Sequence, residues 1–201
     1  MDAPHTIGLF RGRAILPWLD DVARLRIEVF EAWPYLYEGD VGYERDYLDA
    51  YARSEDSLFV LAMDEGRVVG ASTGLPLADD TAAFAQPFRE HGKPVESVFY
   101  FGESVLLPEY RGRGIGHAFF DHREAHARGL GRFHWTAFCA VDRTEEDARR
   151  PVGHRTNEAF WRKRGYTRQP GMAMQLPWRE PGHGEVLHSL TFWLRELEPA
   201  A

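Results

Sequence analysis

The chain has 201 residues, of which 44% are hydrophobic and 27% charged, proportions that suit a globular protein with a sizeable core. Its net charge of −7 argues against nucleic-acid binding and is compatible with a cationic partner such as an amine. The single cysteine, Cys139, excludes an internal disulfide and lies in an apolar run, which predicts a small buried side chain.

Targeting and metal-binding signals are missing from the sequence. No stretch approaches the roughly 18 apolar residues of a membrane span, and the segment MDAPHTIGLF lacks the basic and apolar regions of a secretory signal. We therefore expect a cytoplasmic protein with no membrane partner. The nine histidines have no metal-ligand spacing, so no metal is expected. No repeat, linker or low-complexity segment appears, which predicts one domain over residues 1–201.

Hydrophobic periodicity and turn residues predict alternating strands and helices. In chain order they are a strand at 6–10, helices at 16–30 and 41–53, strands at 57–64, 68–77 and 97–107, a helix at 115–127, a strand at 134–141, a helix at 156–164, and strands at 172–178 and 186–194. Residues 79–91 read as either a short helix or a loop, because Pro87 and the run Gly92-Lys93-Pro94 disrupt the pattern.

The most informative segment reads VLLPEYRGRGIG and runs from Val105 to Gly116. It is an apolar strand that enters a glycine-rich turn and then a long helical stretch. Backbone N–H groups at such a turn, together with the helix dipole, form an anion site. Glycines allow a phosphate to approach the backbone, and Arg111 and Arg113 add charge-assisted hydrogen bonds. The segment therefore predicts a cofactor that carries a pyrophosphate.

Two common glycine motifs do not fit this segment. A Rossmann fingerprint has the spacing GxGxxG within a βαβ unit, and a P-loop continues with Lys and then Ser or Thr. The segment instead resembles the Arg/Gln-x-x-Gly-x-Gly/Ala motif of the GNAT superfamily of acyl-CoA-dependent N-acyltransferases, which Arg111, Gly114 and Gly116 match. The resemblance implies an α/β (α+β) fold, a mixed, mostly antiparallel sheet of about seven strands flanked by helices. It also implies acetyl-CoA as co-substrate and the capacity to form a homodimer through the terminal strands.

The same resemblance assigns cofactor-binding residues. In the family, the strands before and after the cofactor helix splay apart, and the pantetheine arm pairs with their free backbone groups. The residues implied to hold pantetheine and the acyl carbonyl are Ser104, Val105 and Leu106. Those implied to hold the pyrophosphate are Arg111, Gly112, Arg113, Gly114, Ile115 and Gly116, with Arg113 pointing outward as one reading. Asn157 either binds pantetheine or serves the N-terminus of the last helix.

Glu103 is the candidate catalytic residue. An alkyl amine is almost fully protonated at pH 7, so acyl transfer to it needs a general base. Glu103 precedes the pantetheine residues on the same strand, where the family often places a catalytic acid, and burial between Phe101 and Val105 would raise its pKa. The alternatives are a Glu on the solvent face or one that pairs with a neighbouring cation.

The proton donor for the departing thiolate is less well defined. The segment TNEAFWRKRGY, residues 156–166, resembles the last helix of the family, but Trp161 stands where a Tyr often stands. Because an indole N–H is a poor acid, Trp161 is expected to line the thiol end of the cofactor site. Water, Tyr166 or another Tyr then remains as the acid, although Tyr166 is expected to pack on the sheet. His154 reads as a surface residue or as a second candidate base.

The acceptor is expected to contact the segment EAWPYLYEGDVGYERDY, which is rich in aromatic and acidic side chains: Trp33, Tyr35, Tyr37, Glu38, Asp40, Tyr43, Glu44 and Asp46. These could bind a cation or simply pack two helices together. The predicted function is transfer of an acetyl group from acetyl-CoA to a primary amine of a small molecule or peptide, by direct attack in a ternary complex. The alternatives are a non-catalytic acyl-CoA sensor on the same fold, and an acyltransferase for hydroxyl acceptors or longer acyl chains.

Overall fold

The computed structural model describes residues 5–198. Residues 1–4 and 199–201 belong to the predicted domain 1–201, and residues 1–4 also to the segment MDAPHTIGLF, but both ranges lie outside the described residues. The strands are β1 (Thr6–Arg11), β2 (Leu58–Asp64), β3 (Arg67–Pro76), β4 (Val98–Leu106), β5 (Trp135–Val141), β6 (Thr167–Glu180) and β7 (Gly184–Glu196). The α-helices are α1 (Leu19–Phe30), α2 (Val41–Arg53), α3 (Ala82–Glu90), α4 (Ile115–Gly129) and α5 (Glu158–Lys163).

All seven strands form one sheet in the order β1-β2-β3-β4-β5-β7-β6. Every neighbouring pair is antiparallel except β4 and β5, which are parallel. The predicted mixed, mostly antiparallel sheet is confirmed. The parallel pair sits in the middle of the order, where α4 provides the long crossover that parallel neighbours require.

Helices cover both faces of the sheet. Adjacent strand residues point to opposite faces: Tyr100 contacts Phe84 of α3, whereas Phe101 contacts Phe120 of α4. On β7, likewise, Phe192 contacts Phe88 of α3 and Trp193 contacts Trp161 of α5. The face that carries α4 and α5 is lined mainly by aromatic rings, and α2 lies on the opposite face, because Tyr51 would stand 2.7 Å from a Cβ atom built on Gly102.

The helical predictions differ from the structure mainly at prolines. The helix predicted from residue 16 begins as an α-helix only at Leu19, because Pro17 lies in a 3-10 segment, Gly12–Trp18. Conversely, α3 forms over the ambiguous residues 79–91 although Pro87 lies inside it. Burial of Phe84 and Phe88 against the sheet offsets the hydrogen bond that Pro87 cannot donate.

The last two strands are longer than their patterns predicted. Residues 172–178 and 186–194 were expected, whereas β6 and β7 extend over 14 and 13 residues. Their pairing resumes across an irregularity between Arg168 and Ala173, which contains Pro170 and Gly171. A strand predicted from the local sequence ends at such a proline. In the structure, β7 pairs with β6 on both sides of this irregularity, so the two strands stay hydrogen-bonded beyond it.

A helix that spans a membrane must be both long and apolar. None of the helices within residues 5–198 meets both conditions.

Candidate active site

A cavity of about 1100 Å³ opens where the sheet splits. Strands β4 and β5 pair only from Val98 to Tyr100 and from Trp135 to Ala137. Beyond these residues the two strands diverge, and the cavity lies between the ends of β4 and β5 and the start of α4. Its volume slightly exceeds the usual range for ligand pockets, roughly 300–1000 Å³. The gap also leaves strand backbone groups without a sheet partner on that side, which a ligand with amide groups could satisfy.

The glycine-rich turn forms one wall of the cavity. Gly112 and Gly114 have φ angles of 76° and 82°, in the left-handed region that favours glycine. A Cβ atom at either position would meet no heavy atom within 4 Å, so both glycines border open space. Gly114 is the N-cap of α4 and makes no side-chain cap, and the first turn carries no acidic residue. The first N–H groups of α4 are therefore available to an anion.

Most of the predicted cofactor residues border this one cavity. Those that do are Ser104, Leu106, Arg111, Gly112, Gly114, Gly116, Asn157 and Trp161. Val105 and Ile115 do not, because their side chains are buried in the main core. Arg113 also lies outside the lining, with its guanidinium over the ring of Tyr110. Residues scattered over 58 positions of sequence thus converge, while strand alternation turns Val105 away.

The cavity is electropositive relative to the rest of the chain. Six arginines line it against four carboxylates, whereas the whole chain carries a net charge of −7. The arginines are Arg111, Arg123, Arg143, Arg150, Arg155 and Arg168. Such a local excess of cations attracts a polyanion and argues for a phosphate-bearing ligand. In residues 5–198, no cluster of three or more His, Cys, Asp or Glu side chains is arranged to hold a metal ion.

A β-bulge places Glu103. Ser72 of β3 pairs with Ser104 and Gly74 pairs with Phe101, so Gly102 and Glu103 both lie opposite Thr73. Regular alternation would put Glu103 on the same face as Phe101, towards α4. The bulge turns it to the opposite face, where it meets Arg26 of α1. Glu103 is 6% exposed and borders the cavity.

The surroundings of Glu103 combine burial with charge pairing. Nη1 of Arg26 lies 2.5 Å from Oε2 of Glu103, and the Thr73 side chain also interacts with this carboxyl and favours its ionised form. Burial raises the pKa of the Glu103 carboxyl above its usual range, the Arg26 guanidinium opposes that rise, and Glu44 adds to it. Glu103 is therefore both a buried residue and the partner of a cation, so these two interpretations apply at once. The solvent-face reading is wrong.

Comparison with known proteins identifies the family of this fold and cavity. The profile of the Acetyltransferase (GNAT) family matches residues 20–151, well over half of the chain. The chain belongs to this family. It is therefore an acetyltransferase, and the family resemblance expected from Arg111, Gly114 and Gly116 is confirmed. No curated protein is significantly similar to it in sequence.

Solved structures of GNAT proteins share the fold over nearly their full length. YncA of Salmonella typhimurium, assigned as an acetyltransferase and solved with acetyl-CoA, is 14% identical, with 98% of this chain and 96% of that chain covered and a TM-score of 0.60. The aminoglycoside 6'-N-acetyltransferase in complex with coenzyme A is 15% identical, with 98% and 99% covered and a TM-score of 0.60. The ribosomal-protein-alanine N-acetyltransferase of Brucella melitensis is 16% identical, with 94% and 99% covered and a TM-score of 0.59. At these identities, the shared property is the fold.

In this GNAT protein, Tyr166 does not reach the cavity. It is 1% exposed, and its hydroxyl lies 2.9 Å from Thr136 Oγ1 and donates to Glu124. Tyr166 thus packs on the sheet, as expected, and is removed as a candidate acid. Trp161 does border the cavity, with its ring 5.0 Å from Phe138 and 5.2 Å from Trp193.

The expected acceptor segment divides between cavity and scaffold. Trp33 and Tyr35 border the cavity, together with Phe30 of α1. The remaining residues of the set, which are Tyr37, Glu38, Asp40, Tyr43, Glu44 and Asp46, are not among its lining. Some of these have clear structural tasks: Asp40 caps α2 by accepting a hydrogen bond from the Tyr43 N–H, and Glu44 pairs with Arg26. The acceptor end of the cavity therefore combines aromatic rings with Arg143, whose guanidinium lies over the ring of Trp33.

Cys139 and His154 both border the cavity. Cys139 packs against the core but is only partly buried rather than buried as expected, and its Sγ lies 3.1 Å from the Tyr100 hydroxyl. Burial raises the pKa of the Cys139 thiol to about 12, which keeps it protonated and weakly nucleophilic. His154 borders the cavity edge-on to Trp33, and partial burial and Arg150 lower its pKa.

Sequence reasoning missed two buried arginines at the site, Arg26 and Arg123. Each occupies an apolar position of its helix: Arg26 follows Val22 by four residues, and Arg123 follows Phe119 by four. A charged residue on an otherwise apolar helical face was therefore the available signal. A buried arginine at such a position indicates that the core beside the helix contains hydrogen-bond acceptors, which the guanidinium satisfies.

Proposed function

We propose that this acetyltransferase transfers an acetyl group from acetyl-CoA to the primary amine of a small molecule or peptide, by direct attack within a ternary complex. The supporting observation is that one cavity joins the free N-terminus of α4 to the carboxylate of Glu103. The named activities of two structural neighbours agree with this acceptor class. One is an aminoglycoside N-acetyltransferase and the other a ribosomal-protein-alanine N-acetyltransferase.

The residues of the cavity fit a molecule of acetyl-CoA. The N–H groups at Gly112, Gly114, Ile115 and Gly116 would hold the pyrophosphate, with Arg111 adding charge and Arg113 contributing from outside the lining. Backbone groups of Ser104, Val105 and Leu106 would pair with the pantetheine arm, and Asn157 and Trp161 would line the thiol end. Bound acetyl-CoA supplies the acetyl group as a thioester, whose C–S bond breaks as the amine nitrogen bonds to the carbonyl carbon.

Glu103 would act as the general base. The acceptor enters as an ammonium ion, loses one proton to Glu103 and presents its lone pair to the thioester. Phe30 and Trp33 line the acceptor end, and an arginine guanidinium already lies over each ring. After C–N bond formation the nitrogen loses its second proton, which would pass to the departing CoA thiolate. The net reaction yields the acetylated amine, free CoA thiol and one proton, which returns from Glu103 to solvent.

Calorimetry and a thiol assay test this function. We expect acetyl-CoA to bind and thiol to be released on addition of an amine from a panel of polyamines, aminoglycosides, amino acids and peptides. Glu103→Gln should lower kcat by about 10²–10⁴-fold, the usual contribution of a general base, and leave the Kd for acetyl-CoA unchanged. Glu96→Gln is the matched control, because Glu96 is exposed and lies outside the cavity lining.

Each failure has its own meaning. Absence of acetyl-CoA binding would overturn the assignment of the cofactor cavity. Binding without thiol release from any amine would contradict transfer to amines and favour an acyl-CoA sensor. Full activity of Glu103→Gln would remove the base assignment and leave the transferase assignment intact.

A further inference from the structure

Three charged side chains meet behind the cavity. Arg26 of α1 pairs through Nε with Oε2 of Glu44 on α2 and through Nη1 with Oε2 of Glu103 on β4. The exposed fractions of the residues are 8% for Arg26, 1% for Glu44 and 6% for Glu103. The guanidinium also lies over the rings of Phe30 and Tyr47, 5.1 and 4.5 Å from their centroids. One buried cation thus serves two buried carboxylates.

The geometry separates a member that faces the cavity from two that support it. Glu103 is part of the cavity lining, whereas Arg26 and Glu44 are not. By distance and angle, neither carboxylate oxygen of Glu103 makes a hydrogen bond in residues 5–198, and what distinguishes them is the ion pair of Arg26 with Oε2. A buried carboxylate oxygen without a hydrogen-bond partner destabilises the folded protein. A ligand that donates to Oε1 would satisfy it.

We propose that Arg26, itself anchored by Glu44, is a positioning residue that engages Oε2 of Glu103 and leaves Oε1 to take the proton from the acceptor amine. This inference rests on the proposed function, in which Glu103 is the base. Arg26 touches neither the cavity nor a reacting atom, so its effect on the reaction passes through Glu103. The transferred proton moves from the ammonium nitrogen to Oε1, the N–H electron pair stays on nitrogen, and no other bond changes in this step.

Within this group of three charged residues, both Arg26 and Glu44 influence the charge on Glu103. Arg26 favours the ionised carboxylate, and Glu44 opposes it, because like charges repel. The other groups that interact electrostatically with Glu103 are Tyr35, Tyr47 and Tyr51, Asp80 and Arg123 of α4. Burial raises the pKa of all three tyrosines, so they stay neutral at pH 7. They cannot account for a charge effect on Glu103 near neutrality.

Substitution of Arg26 and substitution of Glu44 should therefore shift the pH dependence of catalysis in opposite directions. The activity of a general base falls as the pH drops through its pKa. Arg26→Gln removes the cation, so the acidic limb of kcat/KM should move to higher pH by about one unit or more. Glu44→Gln removes the competing anion and keeps a hydrogen-bond acceptor for Arg26, so the same limb should move to lower pH.

The experiment compares pH profiles of kcat/KM, with one amine acceptor, for the unmodified protein and three variants. Arg26→Lys is the third, because it restores the charge without the planar fork and should return the limb towards that of the unmodified protein. Urea unfolding of each variant checks folding. If Arg26→Gln does not fold, the shift to lower pH in Glu44→Gln and the profile of Arg26→Lys still test the proposal.

Opposite shifts of the acidic limb would support the positioning role. The proposal would be overturned if folded Arg26 and Glu44 variants lost activity without a shift, or shifted in the same direction, as a merely structural role predicts. Glu103→Gln separates this failure from that of the proposed function. If that variant keeps full activity, Glu103 is not the base, whereas its inactivity with unshifted Arg26 and Glu44 profiles would reject the positioning role alone.

Discussion

A buried arginine, Arg123, fastens the bulge that carries Glu103. Arg123 is 1% exposed and donates hydrogen bonds to the backbone oxygens of Phe119, Thr73 and Glu103 and to Oγ of Ser104. Burial lowers its pKa to about 10, which still leaves it charged at pH 7. A bulge leaves ladder groups without regular partners. The fork of five donors on a guanidinium can satisfy several of them at once.

Substitution of Arg123 should therefore affect both stability and the site. In Arg123→Met, the carbonyls of Thr73 and Glu103 lose their donor in a dry environment, where each unsatisfied group costs about 1–3 kcal/mol. We expect the free energy of unfolding in urea to fall by about 3 kcal/mol, with kcat reduced more than the Kd for acetyl-CoA changes. Arg45→Met is the control, because Arg45 is exposed and pairs with Asp20 at the surface. Equal stability losses in the two variants would contradict the role of Arg123 in holding the bulge.

At the scale of elements, α4 links the two halves of the site. Its N-terminus borders the cavity, and Arg123, two turns later, reaches the bulge in β4. Ile115 and Phe119 bury the side of the helix that faces the sheet and fix its direction. The helix thus aims its free N–H groups at the cavity while it holds the strand that bears Glu103.

The turn before α4 gives a prediction about binding. Gly114 has a φ of 82°, so Gly114→Ala strains the backbone by about 1–2 kcal/mol, and its methyl group occupies space that a phosphate would use. We expect the Kd for acetyl-CoA, measured by calorimetry, to rise at least about tenfold. Gly129→Ala lies in the same helix, at its far end, also with open space around the new methyl group. An unchanged Kd in Gly114→Ala would contradict the pyrophosphate assignment.

At the scale of the whole molecule, one sheet connects every part of the described chain. The matched family segment, residues 20–151, ends before β6 and β7, yet β7 pairs with β5 along the whole of β5. We therefore propose that the chain forms a single domain. The homodimer and the cytoplasmic location stay predictions.

Unfolding in urea should occur in one transition whose midpoint falls as the pH is lowered. Burial lowers the pKa of His126 and of His188 below the usual value of about 6.5. The unfolded chain then binds protons that the folded chain does not, so stability is present above about pH 6.5 and is lost as the pH falls through it. Two buried carboxyls with raised pKa values, Glu103 and Asp80, act in the opposite sense. Because the pKa of Asp80 is about 6, the window should end near that pH.

His126→Gln tests the origin of this pH dependence. The Gln amide can keep a hydrogen bond to the Asp56 carbonyl, which lies 2.8 Å from Nε2 of His126. We expect a smaller loss of stability between about pH 7.5 and 6 than in the unmodified protein. His134→Gln, at an exposed position, should leave the pH dependence unchanged.

Two separate unfolding transitions would contradict the single domain.

The sequence by itself determined the features that depend on neighbours in the chain. Helix α2 begins and ends at the predicted residues, Val41 and Arg53, because Asp40 caps it and the apolar period is regular. The glycine turn needs only backbone freedom at Gly112 and Gly114, which residue type specifies directly. The motif and its position before a helix were therefore sufficient to identify the family.

Only the tertiary structure decided how Glu103 is placed and supported. Its direction depends on a bulge opposite Thr73, and strand alternation read from the sequence assumes that no bulge exists. Its ion pair joins Arg26 to a strand 77 residues away, and its backbone carbonyl is held by Arg123 from a third element. Such contacts form between residues distant in sequence. They are fixed by the packing of helices on a sheet, which no local pattern records.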